Sequence, residues 1–121
     1  MFSLFQKLGV IHAAMNLSPH QQLALNSLLS DSRILRLQSA LGLEAQLHLV
    51  GGSVRDLFLD EPVGGDLDFA CVLHPEEIRL RLEAEGIRCI PTGLKHQTVT
   101  AIPIADQAQV EITTFRGAGM S

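Results

Sequence analysis

No tryptophan and no tyrosine occur in this 121-residue chain, and five phenylalanines are its whole aromatic complement. The shortage removes the usual stacking platforms for nucleic-acid bases. Basic charge is scarce as well. Nine Lys and Arg against thirteen Asp and Glu give a formal net charge of −4, which excludes a broad basic surface for gripping a nucleic-acid backbone. Such a partner would have to be held mostly by something else. Only two cysteines, Cys71 and Cys89, are present, without a CxxC or Cys/His pattern. They read as a reduced pair in a cytoplasmic chain rather than a disulfide or a zinc site. No stretch approaches the length of a transmembrane helix. A hydrophobic share of 46% describes one globular domain with a modest core.

Residues 1–15 are apolar, but Lys7 interrupts the run and no basic segment precedes it, unlike a signal peptide. Two readings stay open: a helix packing on the domain, or a start placed too early with Met15 as the natural beginning. Ser18-Pro19-His20-Gln21 has the form of a capping box with Pro at the first helical position. It predicts a helix carrying Leu25, Leu28 and Leu29 and stopping near Ser30. Asp31 or Ser32 opens a second helix with Ile34, Leu37 and Leu41 on one face and Gly42 as its terminator. His74-Pro75-Glu76-Glu77 starts another, with Ile78 and Leu82 inward and Gly86 at its end. Arg79, Arg81, Glu83 and Glu85 read as its solvated face. Short strands are expected at 87–90, 99–104 and 109–115, the last two as an antiparallel pair around a turn at 105–108.

The chemistry concentrates in residues 47–70, LHLVGGSVRDLFLDEPVGGDLDFA. Leu47–Val50 is a short apolar run suited to a buried strand. Gly51-Gly52 permits a tight turn and close approach of a ligand. Ser53 follows at a helix start, with Val54, Leu57 and Phe58 at the spacing of one inward face. A helix N-terminus behind glycines suits a phosphate. Asp66 and Asp68 come next, and strand alternation puts both carboxylates on one face. Such an oxygen-rich pair is what Mg²⁺ needs when it also coordinates nucleotide phosphates. Two surface aspartates beside a turn are the plain alternative. In the last strand Val110 and Ile112 point to one face and Glu111 to the other.

Leu49-Val50-Gly51-Gly52-Ser53-Val54-Arg55-Asp56 and Asp66-Leu67-Asp68 are followed by two further segments, Thr92–Thr100 (TGLKHQTVT) and Val110–Arg116 (VEITTFR). Together these four, in this order, resemble the N-terminal catalytic head of the class II tRNA nucleotidyltransferase (CCA-adding) and bacterial poly(A) polymerase family, within the polymerase-β-like superfamily. The resemblance covers roughly residues 47–116. It implies an α/β (α+β) fold, a mixed sheet of about five strands with helices on one side. The division it suggests is an N-terminal helical segment at 1–46, the head core at 47–116 and a tail at 117–121, with the family's neck, body and tail domains absent.

The resemblance also implies roles. Asp66 and Asp68 hold Mg²⁺ and are catalytic, while Glu111 is the candidate third carboxylate, as metal ligand or base. For Glu111 the alternatives are a sheet-edge glutamate or a partner of Arg116. Gly51, Gly52, Ser53 and Arg55 contact the nucleotide, ATP or CTP; Arg55 otherwise pairs with Asp56 or Asp68. Lys95, His96 and Thr98 are site neighbours. Two departures stand out: Gly64-Gly65 where relatives often have a basic residue, and Gln97 where they generally carry glycine. The expected activity is transfer of a nucleotide to an RNA 3′ end, a tRNA, completed by C-terminal sequence, a partner chain or a homo-oligomer covering the absent neck. A non-catalytic nucleotide-binding module or assembly subunit is the competing reading. A small-molecule nucleotidyltransferase is disfavoured by the TTFR segment.

Overall fold

The computed structural model describes residues 2–3, 17–59, 67–90 and 97–114. Helices α1 (Pro19–Leu29) and α2 (Ser32–Leu41) come first, then a 3-10 turn at Leu43–Ala45 that the pattern of apolar residues does not announce. Helix α3 spans Gly52–Phe58 and α4 spans Pro75–Ala84. The strands are β1 (Phe2–Ser3), β2 (His48–Val50), β3 (Leu67–Cys71), β4 (Arg88–Ile90), β5 (Thr98–Ile102) and β6 (Val110–Thr114). They form one mixed sheet in the order β1-β2-β3-β6-β5-β4. Five are the strands expected from sequence. The sixth is the two-residue β1, which lies antiparallel to β2 where a helix was the structured alternative. Residues 1, 4–16, 60–66, 91–96 and 115–121 lie outside the described residues, and with them the loop expected at 60–65.

Local chemistry explains the helix boundaries. The Ser18 hydroxyl accepts from the Gln21 N–H at 3.1 Å while the Gln21 side chain accepts from the Ser18 N–H, the reciprocal cap the sequence announces. Asp31 caps α2 by accepting from the Arg33 N–H at 2.8 Å. Gly42 ends α2 at φ 81° and Gly86 follows α4 at φ 77°, both in the region glycine enters without cost. Arg81 departs from the solvated role expected of it. It bonds Glu77 on its own helix, then reaches the Leu41 carbonyl at 2.7 Å and Glu44 at 2.6 Å, tying α4 to the end of α2.

Alternation sorts the sheet into two faces. Leu49, Phe69, Ile112 and Val99 form one cross-strand row, and all four are buried. With Leu67 and Val110 they meet Leu25, Leu28, Ile34, Leu37, Ile78 and Leu82 from the helices in a single core. Among the described residues the helices cover this one face, and the other carries the Asp68–Glu111 row. The parallel β3–β6 pair needs a long crossover, supplied by α4 and the β4–β5 pair. Cys71 and Cys89 are both free, and burial pushes both thiols above their usual values, which disfavours the thiolate form. No described helix is long and apolar enough to cross a membrane.

Hydrogen bonds from the Arg33 side chain hold the Asp31 carboxyl below its usual value, against the opposing effect of burial. Asp31→Ala is expected to lose about 1–2 kcal/mol of stability at neutral pH, the usual worth of a strong cap. Because the folded carboxyl titrates below its unfolded value, the stabilisation is complete above about pH 3.9. It fades as pH falls through the lower folded value. Urea titrations at neutral and strongly acid pH should show the wild-type advantage at the first and little of it at the second.

Candidate active site

β2 delivers the chain to the site and Gly51 turns it. Gly51 has φ 79°, and a Cβ built on it would stand 2.9 Å from Oδ2 of Asp68. Both observations demand glycine: the backbone is left-handed, and the space is filled by a carboxylate on the next strand. Helix α3 starts at once, at Gly52 rather than Ser53, with the Arg55 N–H donating to the Gly51 carbonyl at 3.3 Å. Val54 is its buried anchor on the sheet.

Register does the rest. Asp68 is the cross-strand partner of Val50 on one side and of Glu111 on the other, and Glu111 is in turn the partner of Thr100. Adjacent strands run about 4.8 Å apart and paired residues share a face, so Asp68 and Glu111 present their carboxylates side by side. Phe69 and Ile112, one residue on, turn into the core and hold both strands in that phase. Glu111 is exposed while Asp68 is half-buried. A cleft of ≈ 240 Å³ opens here, lined by Leu67, Asp68, Gln109 and Glu111. At about 30 Å³ per water it has room for a hydrated cation or a phosphate group.

The sequence-derived residues thus divide. Gly51, Gly52, Asp68 and Glu111 are brought together around the ends of β2, β3 and β6. Arg55 stands on α3 with its side chain 71% exposed, and its Nε is 3.7 Å from the Asp56 carboxylate. Its alternative partner, Asp68, is not ion-paired among the described residues. Ser53 is placed only by its backbone in α3. Asp66, Lys95, His96 and Arg116 lie outside the described residues. Among the described residues no three His, Cys, Asp or Glu side chains gather as a metal-binding group.

Two residues at this site were not singled out by the sequence. Gln109 lines the cleft, two positions before Glu111 and therefore in the same alternation phase. Thr100 lies in register with Glu111 and is buried, a placement that needed the exact pairing of β5 with β6. Thr98 stays near, its hydroxyl 3.0 Å from that of Thr113 on the same open face. The departure at Gln97 has a backbone consequence: it sits at φ 60°, a conformation that glycine adopts freely and other residues rarely.

Residues 47–120 match the Poly A polymerase head domain family. A CCA-adding enzyme of Bacillus mycoides (strain KBAB4) is 44% identical over 71 residues, covering 59% of this chain and 16% of that enzyme. The CCA-adding enzyme of Bacillus anthracis (strain CDC 684 / NRRL 3495) gives the same identity and coverage. Among solved structures, the Bacillus stearothermophilus CCA-adding enzyme in complex with CTP aligns with a TM-score of 0.53 and 31% identity, over 86% of this chain and 22% of that one. The mixed sheet with helices is common to both. The chain spans 16% of the length of the curated relatives it matches.

The two glycines should respond differently to a methyl group. Gly51→Ala is expected to cost about 1–2 kcal/mol from the left-handed backbone alone, and to displace the Asp68 carboxylate as well. At Gly52, the first residue of α3, an added Cβ meets among the described residues the far end of the flexible Arg55 side chain, Nη2 at 3.4 Å, and the backbone is not left-handed. Denaturant titration of the two variants should therefore rank Gly51→Ala well below Gly52→Ala. Equal stabilities would mean that Gly51 does not back onto Asp68.

Proposed function

The chain belongs to the Poly A polymerase head domain family, and from that premise we propose that it is the catalytic head of an RNA 3′-end nucleotidyltransferase. It transfers a nucleotide from ATP or CTP to the 3′-hydroxyl of a tRNA and releases pyrophosphate. The observation that carries this reading is the pairing of Asp68 with Glu111 across a parallel ladder, with Gly51 against the Asp68 carboxylate. The CTP bound to the Bacillus stearothermophilus enzyme supports the choice of nucleotide.

The donor set fits a hard divalent cation. Asp68, Glu111 and the Gln109 amide offer oxygen to one cleft, whose described lining holds no sulfur or imidazole. When bound, Mg²⁺ lowers the pKa of the attacking hydroxyl and offsets charge on the departing pyrophosphate. Asp68 holds the cation, and Asp66 joins it on the grounds of sequence alternation. Glu111 is either a third ligand or the acceptor of the 3′-hydroxyl proton. The oxygen then bonds to the α-phosphorus as its bond to the β-phosphate oxygen breaks, with no covalent enzyme intermediate. Gly51 and Gly52 leave room for the triphosphate. Arg55, exposed and loosely held by Asp56, is free to turn toward a phosphate. Ser53 is assigned as a phosphate donor on sequence alone.

Completion by C-terminal sequence, a partner chain or a second copy is part of the proposal. Leu23, Leu35, Leu43, Leu59 and Leu80 are each more than half exposed, and the charge of −4 leaves little to hold RNA. The same charge favours a second reading: a nucleotide-binding module that does not catalyse.

Labelled CTP and ATP, offered with Mg²⁺ and a tRNA lacking its CCA end, separate the two. The first reading expects incorporation that drops to background in the Asp66→Ala/Asp68→Ala double variant. Glu111→Gln should slow it by about 10²–10⁴-fold if Glu111 takes the proton. Nucleotide binding without incorporation, by wild type and variant alike, would leave the second reading standing.

A further inference from the structure

Six arginines fall within the described residues, and four of them have a carboxylate partner, Arg55 only a loose one. Arg33 pairs with Asp31, Arg55 with Asp56, Arg79 with Glu76 and Glu83, and Arg81 with Glu44 and Glu77. Arg36 and Arg88 have no ion-pair partner among the described residues, although they are 52 positions apart in sequence. Both line one cleft of ≈ 690 Å³. Ile102, Pro103 and Ile104 give it an apolar wall, and with Asp106 the described lining carries one net positive charge. Arg36 is already positioned: its Nη2 donates to the Glu85 carbonyl at 2.7 Å, which fixes the guanidinium and leaves its other N–H groups free. In a chain of net charge −4, two unpaired guanidinium groups in one cleft mark a place for an anion.

The position of the cleft says which anion. Arg88 pairs with Ile102, two residues beyond Thr100, which belongs to the row of Asp68 and Glu111. The β5–β6 turn separates the two clefts, with Gln107 lining one and Gln109 the other. From β3 to β4 there are three strand spacings, about 14 Å in all. A single strand of RNA whose 3′ end lies at Asp68 covers that distance in a few nucleotides. With no Trp or Tyr in the chain to stack on bases, the contact falls to the backbone. We propose that the Arg36–Arg88 cleft binds backbone phosphates of the RNA a few nucleotides upstream of its reacting 3′ end. This rests on the proposed function for the choice of RNA, and it adds an acceptor-strand site on the head itself, built from α2, β4 and the β5–β6 turn.

The test is direct binding of a labelled single-stranded RNA to the full chain by fluorescence anisotropy, without nucleotide, across a salt series. Arg36→Gln/Arg88→Gln should weaken binding roughly tenfold, as loss of charged hydrogen bonds does. The log–log salt slope should become shallower by about 0.7 for each phosphate contact removed. Arg88→Gln alone, which breaks no ion pair among the described residues, should give part of both changes with an unaltered melting temperature. RNA affinity and slope unmoved by the double substitution would overturn the site, even where wild type incorporates nucleotide and so upholds the proposed function. Loss confined to Arg36 variants with a lowered melting temperature would overturn it too. So would inorganic phosphate displacing the RNA at equal phosphate concentration, since the cleft would then serve a free anion. An arginine-dependent slope in a chain that transfers no nucleotide would uphold the cleft and overturn the proposed function instead.

Discussion

The parallel ladder between β3 and β6 is the constraint on which the rest of this domain depends. It sets Phe69 against Ile112 in the core, and the same alternation sets Asp68 against Glu111 on the opposite face. Burying the first pair determines where the second stands. A slip of β6 by one residue would exchange its faces, placing the Glu111 carboxylate in the core and Val110 and Ile112 in solvent. Hydrophobic burial, which favours the correct register by several kcal/mol for a pair of such side chains, is thus also what aligns the acidic pair. Packing energy and site geometry are the same fact seen from two faces.

The surrounding elements support that ladder from both ends. At one end the left-handed turn at Gly51 brings β2 and α3 up to Asp68, so closely that no side chain fits between them. At the other, the Thr114 hydroxyl donates to the Leu73 carbonyl at 2.8 Å and the Val72 N–H donates to the Ala45 carbonyl at 2.9 Å, fastening the exit of β3 to β6 and to the 3-10 turn. Arg81 then joins that turn and the end of α2 to α4. A chain of local contacts therefore runs from the helical layer to the acidic pair. The isolated exposed pairs in it are worth little each, but Arg81 bonds a carbonyl and two carboxylates at once.

Charge is distributed with the same economy. In the proposed role an acidic chain meets a polyanion with few cations to spend, and three of the six described arginines, Arg33, Arg79 and Arg81, are closely engaged by carboxylates. Among the described residues Arg55 beside the glycine turn, and Arg36 with Arg88 beyond the β5–β6 turn, are the ones left available or loosely held. They flank the acidic cleft along the sheet rather than coating a surface. An arrangement of this kind gives short-range contacts with positioned phosphates in place of a long-range attractive field.

What the sequence determined by itself is the local and the periodic. Ser18 and Gln21 dictate one helix start and Gly42 a helix end. The alternation of 67–71 and 110–114 fixes which side chains face together, and four segments in order, from Gly51-Gly52 and Asp66-Leu67-Asp68 to Thr92–Thr100 and Val110–Arg116, carry the family resemblance and point to Asp68. These features follow from dihedral preferences and short-range periods that act within a few residues. Tertiary structure alone decided the rest. That β6 pairs with β3, parallel and with Glu111 opposite Asp68, depends on strands 43 residues apart and on which side of β3 the crossover returns. The same holds for Thr100 beside Glu111, for Arg81 reaching Glu44, and for Arg36 meeting Arg88. No local period encodes any of these, because long-range register is chosen by burying the whole apolar face at once, and the polar residues on the other face are carried to wherever that choice puts them.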